Sequence, residues 1–152
     1  MRSGHCLVVG IGNADRGDDA VGHLVARRLG ARRIAGVRVL ERSGESSGLL
    51  DCLSGAQAAY LVDASRSGKP PGTVSRHDVA AAPLPRAASG CSTHGLGLAE
   101  AIELARALGR LPRRCVVYAI EGHAYDIGAP LSPAVAAAAE QAARMIAEEV
   151  EA

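Results

Sequence analysis

The chain has 152 residues, 48% of them hydrophobic and 22% charged, the make-up of one folded domain over 1–152 and not of a disordered segment. A net charge of +1 gives no field to recruit nucleic acid or an anionic membrane. With three Tyr and no Phe or Trp, the chain lacks the platforms on which single-strand binders stack bases. The core must therefore be built from Ala, Val, Leu and Ile.

The run Cys6-Leu7-Val8-Val9-Gly10 reads as a buried strand. It is too brief for a signal segment, and no apolar stretch approaches the roughly 20 residues that span a bilayer. Ala20 to Leu29 sets Val21, Leu24, Val25 and Leu29 on one helical face. Val37 to Leu40 is a second strand, Gly48 to Leu53 a short helical turn, and Ala58 to Val62 a third strand stopped by Asp63. Thr73 to Arg76 is extended, and Ala80 to Ser92, rich in Ala, Pro, Ser and Gly, is a loop. A helix from about His94 to Leu108 follows, apolar at Leu98, Ile102 and Leu108. Then come a strand from Cys115 to Ile120 and a last helix from Ser132 to Glu149, with Ser132 as N-cap and Pro133 in the first helical position. Strands alternating with helices predict an α/β three-layer sandwich: a central, twisted, mostly parallel sheet of about five strands with helices on both faces. The four cysteines (Cys6, Cys52, Cys91, Cys115) form no CxxC pair, which suits reduced thiols in a cytoplasmic protein.

Such sheets bind ligands outside the carboxyl ends of their strands, so the polar residues there carry the functional signal. Gly10-Ile11-Gly12-Asn13 suggests a dinucleotide-binding turn, with Glu41 as the ribose acid. The third glycine of that fingerprint is replaced by Asp15, and Asp18 and Asp19 stand where a pyrophosphate would lie. Gly44-Glu45-Ser46-Ser47-Gly48 is a literal GxSxG, followed by Asp63 and His94 in the order of the α/β-hydrolases. Few residues precede it to supply an oxyanion loop, so a serine hydrolase using Ser46 stays an alternative beside the dinucleotide module. Cys91 and His94 form a single C-x-x-H, too little for a zinc site. His123 reads as loop.

A third reading takes Asp19, Asp63 and His94 together, each at the expected carboxyl edge. Two carboxylates and an imidazole suit a divalent transition metal, and a helix start favours the neutral imidazole that donates a lone pair. The plainer alternatives are that Asp18 or Asp19 caps a helix, that Asp63 closes a turn and that His94 lies on the surface.

Gly10-Ile11-Gly12-Asn13-(x)4-Asp18-Asp19-Ala20-Val21-Gly22 resembles the opening signature of the hydrogenase maturation proteases. The similarity continues through Leu61-Val62-Asp63-Ala64, Ser92-Thr93-His94-Gly95-Leu96-Gly97-Leu98, Glu121-Gly122 and Gly128-(x)2-Leu131-Ser132-Pro133-(x)-Val135. The resemblance implies an endopeptidase that trims the C-terminal extension of the nickel–iron hydrogenase large-subunit precursor. It further implies nickel as the metal, delivered with that precursor and replaceable by other divalent ions, with Asp19, Asp63 and His94 as its ligands and the catalytic set. Asp18 either orients a ligand or caps its helix. Two departures stand out: Asp19 where some members carry Glu, and Arg42-Ser43-Gly44-Glu45 after the second strand, where Glu45 adds a charge.

Overall fold

The computed structural model describes residues 5–43, 46–85 and 97–151, with the side chains of Ser46 and Ser47 left aside. Five strands form one sheet: β1 (Cys6–Ile11), β2 (Val37–Arg42), β3 (Ala58–Ser65), β4 (Val74–Asp78) and β5 (Arg114–Glu121). Their order across the sheet is β2-β1-β3-β5-β4, parallel throughout except for the antiparallel edge strand β4. The register places Gly10 beside Val62, and Ser65 beside Glu121.

Helices α1 (Val21–Arg32) and α4 (Pro133–Glu151) cover one face, and α2 (Ser46–Leu53) and α3 (Leu98–Ala107) the other. The apolar β3 and β5 side chains serve two cores by the period-two alternation of a strand. Leu61, Val117 and Ala119 join the α2/α3 core, while Tyr60, Val62, Val116 and Ile120 join the α1/α4 core. The near absence of aromatics is met by close approach. Ala138, Ala139, Ala142 and Ala147 line α4 where it meets the sheet, so small side chains replace the bulk that Phe would supply. Among the described residues no helix is long and apolar enough to cross a membrane.

Several sequence expectations shift. The third strand does not stop at Asp63 but runs to Ser65, because Asp63, Ala64 and Ser65 pair in register with Ala119, Ile120 and Glu121. The helix expected from His94 begins at Leu98, where Gly97 N donates to Glu100 Oε1 at 2.7 Å. Leu108 follows that helix and is 52% exposed, so it is not part of the apolar face. A short 3-10 turn, Gly17–Ala20, precedes α1 and carries Asp18 and Asp19.

Candidate active site

β2 lies on one side of β1 and β3 on the other, so the chain order reverses between β1 and β3. The crevice outside their carboxyl ends is the position where open α/β sheets hold ligands. The 3-10 turn after β1 and the last residues of β3 both reach this edge. They bring Asp19 and Asp63 to the same end of the sheet.

Glycines make that approach possible. A Cβ on Gly10 would sit 2.1 Å from the Gly22 carbonyl oxygen, and one on Gly22 would sit 2.5 Å from the carbonyl oxygens of both Ile11 and Val62. The first turn of α1 therefore rests directly on the ends of β1 and β3, with no room for a methyl group. Gly12, at φ +141°, passes so close that its Cβ would lie 2.1 Å from the Asp19 carbonyl oxygen.

Asp19 is half-buried, and its Oδ2 accepts the Asn13 amide at 2.9 Å. This contact answers the dinucleotide reading. A loop amide that a pyrophosphate would need is already taken by a carboxylate, and Asp19 closes the glycine turn from above. Glu41, the supposed ribose acid, accepts instead from the Arg27 guanidinium at 3.2 Å and lies 2.7 Å from His23 Nδ1. Arg27 and then His23 hold its carboxyl below the usual range against the pull of burial. His23 Nε2 lies 2.7 Å from the Gly12 carbonyl oxygen, so this histidine ties the glycine turn to β2.

Asp63 is only 5% exposed, and its Oδ1 accepts the Ala64 amide at 2.8 Å. Asp18, fully buried, caps no helix. Its carboxylate accepts the amides of His123, Ala124 and Ser132 at 2.8, 2.9 and 2.7 Å, and the Ser132 hydroxyl at 2.7 Å. Burial pushes its pKa up, but these four donors outweigh burial and hold it below the ordinary value. The hydroxyl of Ser132, expected at the start of α4, is thus spent on Asp18, while its carbonyl takes the Ala136 amide at 2.9 Å.

Glu121, at the end of β5, is a third buried acid. It accepts the hydroxyls of Ser65 and Ser67 at 3.1 and 2.7 Å, and the amides of Ser67 and Gly68 at 3.0 and 3.3 Å. Here too burial raises the pKa, and the Ser67, Ser65 and Gly68 donors bring it below the usual carboxylate value. The donors to Asp18 and Glu121 in these bonds carry no charge, so neither acid is neutralised by them.

His94, Cys91 and Glu45 lie outside the described residues. The structure therefore presents two of the three expected metal ligands, and among the described residues no group of three or more His, Cys, Asp or Glu side chains is placed to hold a metal ion. Ser46 opens α2 after the edge strand β2, with β1 standing between β2 and β3. The Ser46 side chain and His94 both lie outside the described residues, so the serine-hydrolase alternative is not carried by the structure.

Residues 23–149 match the model of a family of hydrogenase maturation proteases, HycI. No curated protein matches the chain. Among solved structures, the hydrogenase maturating endopeptidase HybD from E. coli superposes with a TM-score of 0.82 at 25% identity, covering 97% of this chain and 92% of its own. A nickel–iron hydrogenase maturation protease, HycI, from Thermococcus kodakarensis gives 0.73 at 27% identity, covering 97% and 93%. The fold is an α/β sandwich, and the family match and these neighbours place it in the peptidase class. The chain belongs to the hydrogenase maturation protease family.

Four residues at this edge had no role assigned by sequence reasoning: His23, Ser65, Ser67 and Tyr125. The Tyr125 hydroxyl donates to the Ser65 carbonyl at 2.7 Å, and the Arg66 guanidinium lies 3.9 Å from the Tyr125 ring centroid. For Glu121 there was a signal: a carboxylate ending an otherwise apolar strand must find donors or stay exposed.

Proposed function

We propose that this chain is an endopeptidase that removes the C-terminal extension of a nickel-loaded nickel–iron hydrogenase large-subunit precursor. Family membership supports the reaction class, and one observation carries the assignment of the site. Asp19 and Asp63 both reach the carboxyl edge at the crevice between β1 and β3, where Asp19 accepts the Asn13 amide and Asp63 the Ala64 amide.

Two carboxylates at an acidic edge fit a divalent cation, since oxygen donors and net negative charge both favour it. The nickel is the precursor's own cargo. Asp19, Asp63 and His94 complete its coordination, so that only a loaded precursor seats its scissile peptide in the crevice. A metal bound there supplies Lewis acidity to a carbonyl or a water, worth several kcal/mol in the barrier. Asp63, fixed on a strand, gives the rigid arm of the set. Asp19, on a turn pressed against the strand ends by Gly12 and Gly22, gives the adjustable one.

Intact-mass analysis of the precursor tests this reading. The wild-type chain is expected to release a C-terminal peptide only when nickel is present. Asp63→Ala, alongside, is expected to lose at least about 100-fold in rate. An intact, verified nickel-loaded precursor after incubation with the wild-type protein would sink the proposal.

A further inference from the structure

The two acid-bearing segments touch where the start of α1 meets the ends of β1 and β3, and both are also fastened by hydrogen bonds to a third piece of chain. Residues 121–125 leave β5 between them. On one side, the amides of His123 and Ala124 bind the Asp18 carboxylate, and Asp18 N donates to the Ala124 carbonyl at 2.7 Å. On the other, Glu121 takes the donors of Ser65, Ser67 and Gly68, Gly122 N donates to the Ser65 carbonyl at 3.2 Å, and Tyr125 donates to that same carbonyl. Asp18 is the neighbour of Asp19, and Ser65 lies two residues beyond Asp63. Gly122 sits where the two sides meet: a Cβ there would be 2.3 Å from the Tyr125 hydroxyl and 3.0 Å from Asp18 Cβ.

We propose that residues 121–125 are a splint that sets the gap between Asp19 and Asp63 before metal or precursor arrives, with Asp18 and Glu121 as its positioning residues. Neither acid reaches the crevice, since both are buried and their oxygens are occupied by the bonds above. Their contribution is to remove the freedom of two segments that would otherwise have to be ordered when the metal binds. Hydrogen-bond partners of metal ligands change affinity by about 10- to 100-fold when lost, and the splint acts on Asp19 and Asp63 through their chain neighbours. This rests on the metal reading of Asp19 and Asp63 for its consequence, but not for its geometry.

The test uses the full chain and nickel chloride alone, titrated calorimetrically against wild type, Asp18→Asn, Glu121→Gln and Tyr125→Phe. The last removes one hydroxyl and neither carboxylate, so it carries the test if the acid variants fail to fold. Folding is checked by a cooperative melt. Expected is a Kd for nickel raised about 10- to 100-fold in the acid variants and a few-fold in Tyr125→Phe. An unchanged Kd in folded variants would overturn the splint.

Should the wild type bind no free nickel, as a cargo seen only on the precursor would allow, amide hydrogen exchange judges the splint separately. Glu121→Gln is expected to speed exchange at the Asn13, Asp18 and Asp19 amides, on the far side of the splint. Asp18→Asn is expected to do so at Ser67 and Gly68. Acceleration confined to each variant's own side would overturn the proposal.

Discussion

The two ends of the sheet solve the same problem in opposite ways. At the amino end, Glu149 of α4 is gripped by Arg76 at 2.7 and 3.0 Å, by Arg114 at 3.0 Å and by the Tyr118 hydroxyl, while Arg114 also donates to the Tyr60 hydroxyl at 2.8 Å. At the carboxyl end, Asp18 and Glu121 are gripped as firmly, but by amides and hydroxyls. Guanidinium groups cancel a charge, whereas dipoles stabilise it and leave it standing. The amino end is therefore a self-neutralised clasp that shuts α4 onto β3, β4 and β5. The carboxyl end leaves the charges of Asp18 and Glu121 uncancelled by any guanidinium in these bonds.

The largest difference between the ends should appear on truncation. Asp18→Ala takes the acceptor from four donors in part-buried hydrogen bonds and is expected to cost about 2–4 kcal/mol in urea unfolding. Glu149→Ala leaves guanidinium groups that water can reach, with side chains 38% and 57% exposed, and is expected to cost about 1–2 kcal/mol. Equal losses would break the comparison.

Gly22→Ala comes next. Its methyl must displace the carbonyls of Ile11 or Val62, so a loss of about 1–3 kcal/mol is expected in urea unfolding. A neutral substitution would show that the helix start does not press on the strands.

A pH series sharpens the contrast at the amino end. Arg76, then Tyr118 and Arg114, hold the Glu149 carboxyl down to about 2 against the opposing effect of burial, from 4.5. A carboxyl depressed in the folded state stabilises fully above its unfolded value and loses that contribution as pH falls through the folded one. Melting temperature should therefore decline between roughly pH 4.5 and pH 2. Glu149→Gln should flatten that decline without abolishing it, because Asp18 and Glu121 are depressed as well.

The smallest effect concerns Cys115, whose thiol is pushed up to about 12 by burial in the α2/α3 core. Alkylation by iodoacetamide at neutral pH should leave Cys115 unmodified in the folded chain and modify it once denatured.

Much of the architecture could be read in advance. Apolar runs at Cys6–Gly10, Ala58–Val62 and Cys115–Ile120 marked buried parallel strands, and the spacing of Val21, Val25 and Leu29 gave the face of α1. Asp18 was visible as an acid at the sheet edge, yet its role was not, and neither was the link of His23 to Glu41 and Gly12. The glycines of the first motif were read as a signature. Their physical task, letting α1 rest on two strand ends, emerged only from the distances a Cβ would meet.

Hydropathy period and turn chemistry act over a few residues, so the sequence by itself determined the order of strands and helices, the α/β class and the short set of acids that reach the carboxyl edge. It also carried the family signature. Tertiary structure alone decided which of those acids are sealed and which face the crevice. Asp18 meets His123 across 105 positions and Glu121 meets Ser65 across 56, and no local pattern encodes a partner so far along the chain. Burial then fixed the chemistry: a carboxylate surrounded by amide donors became a splint's anchor, while its immediate neighbour Asp19 stayed half-open at the crevice.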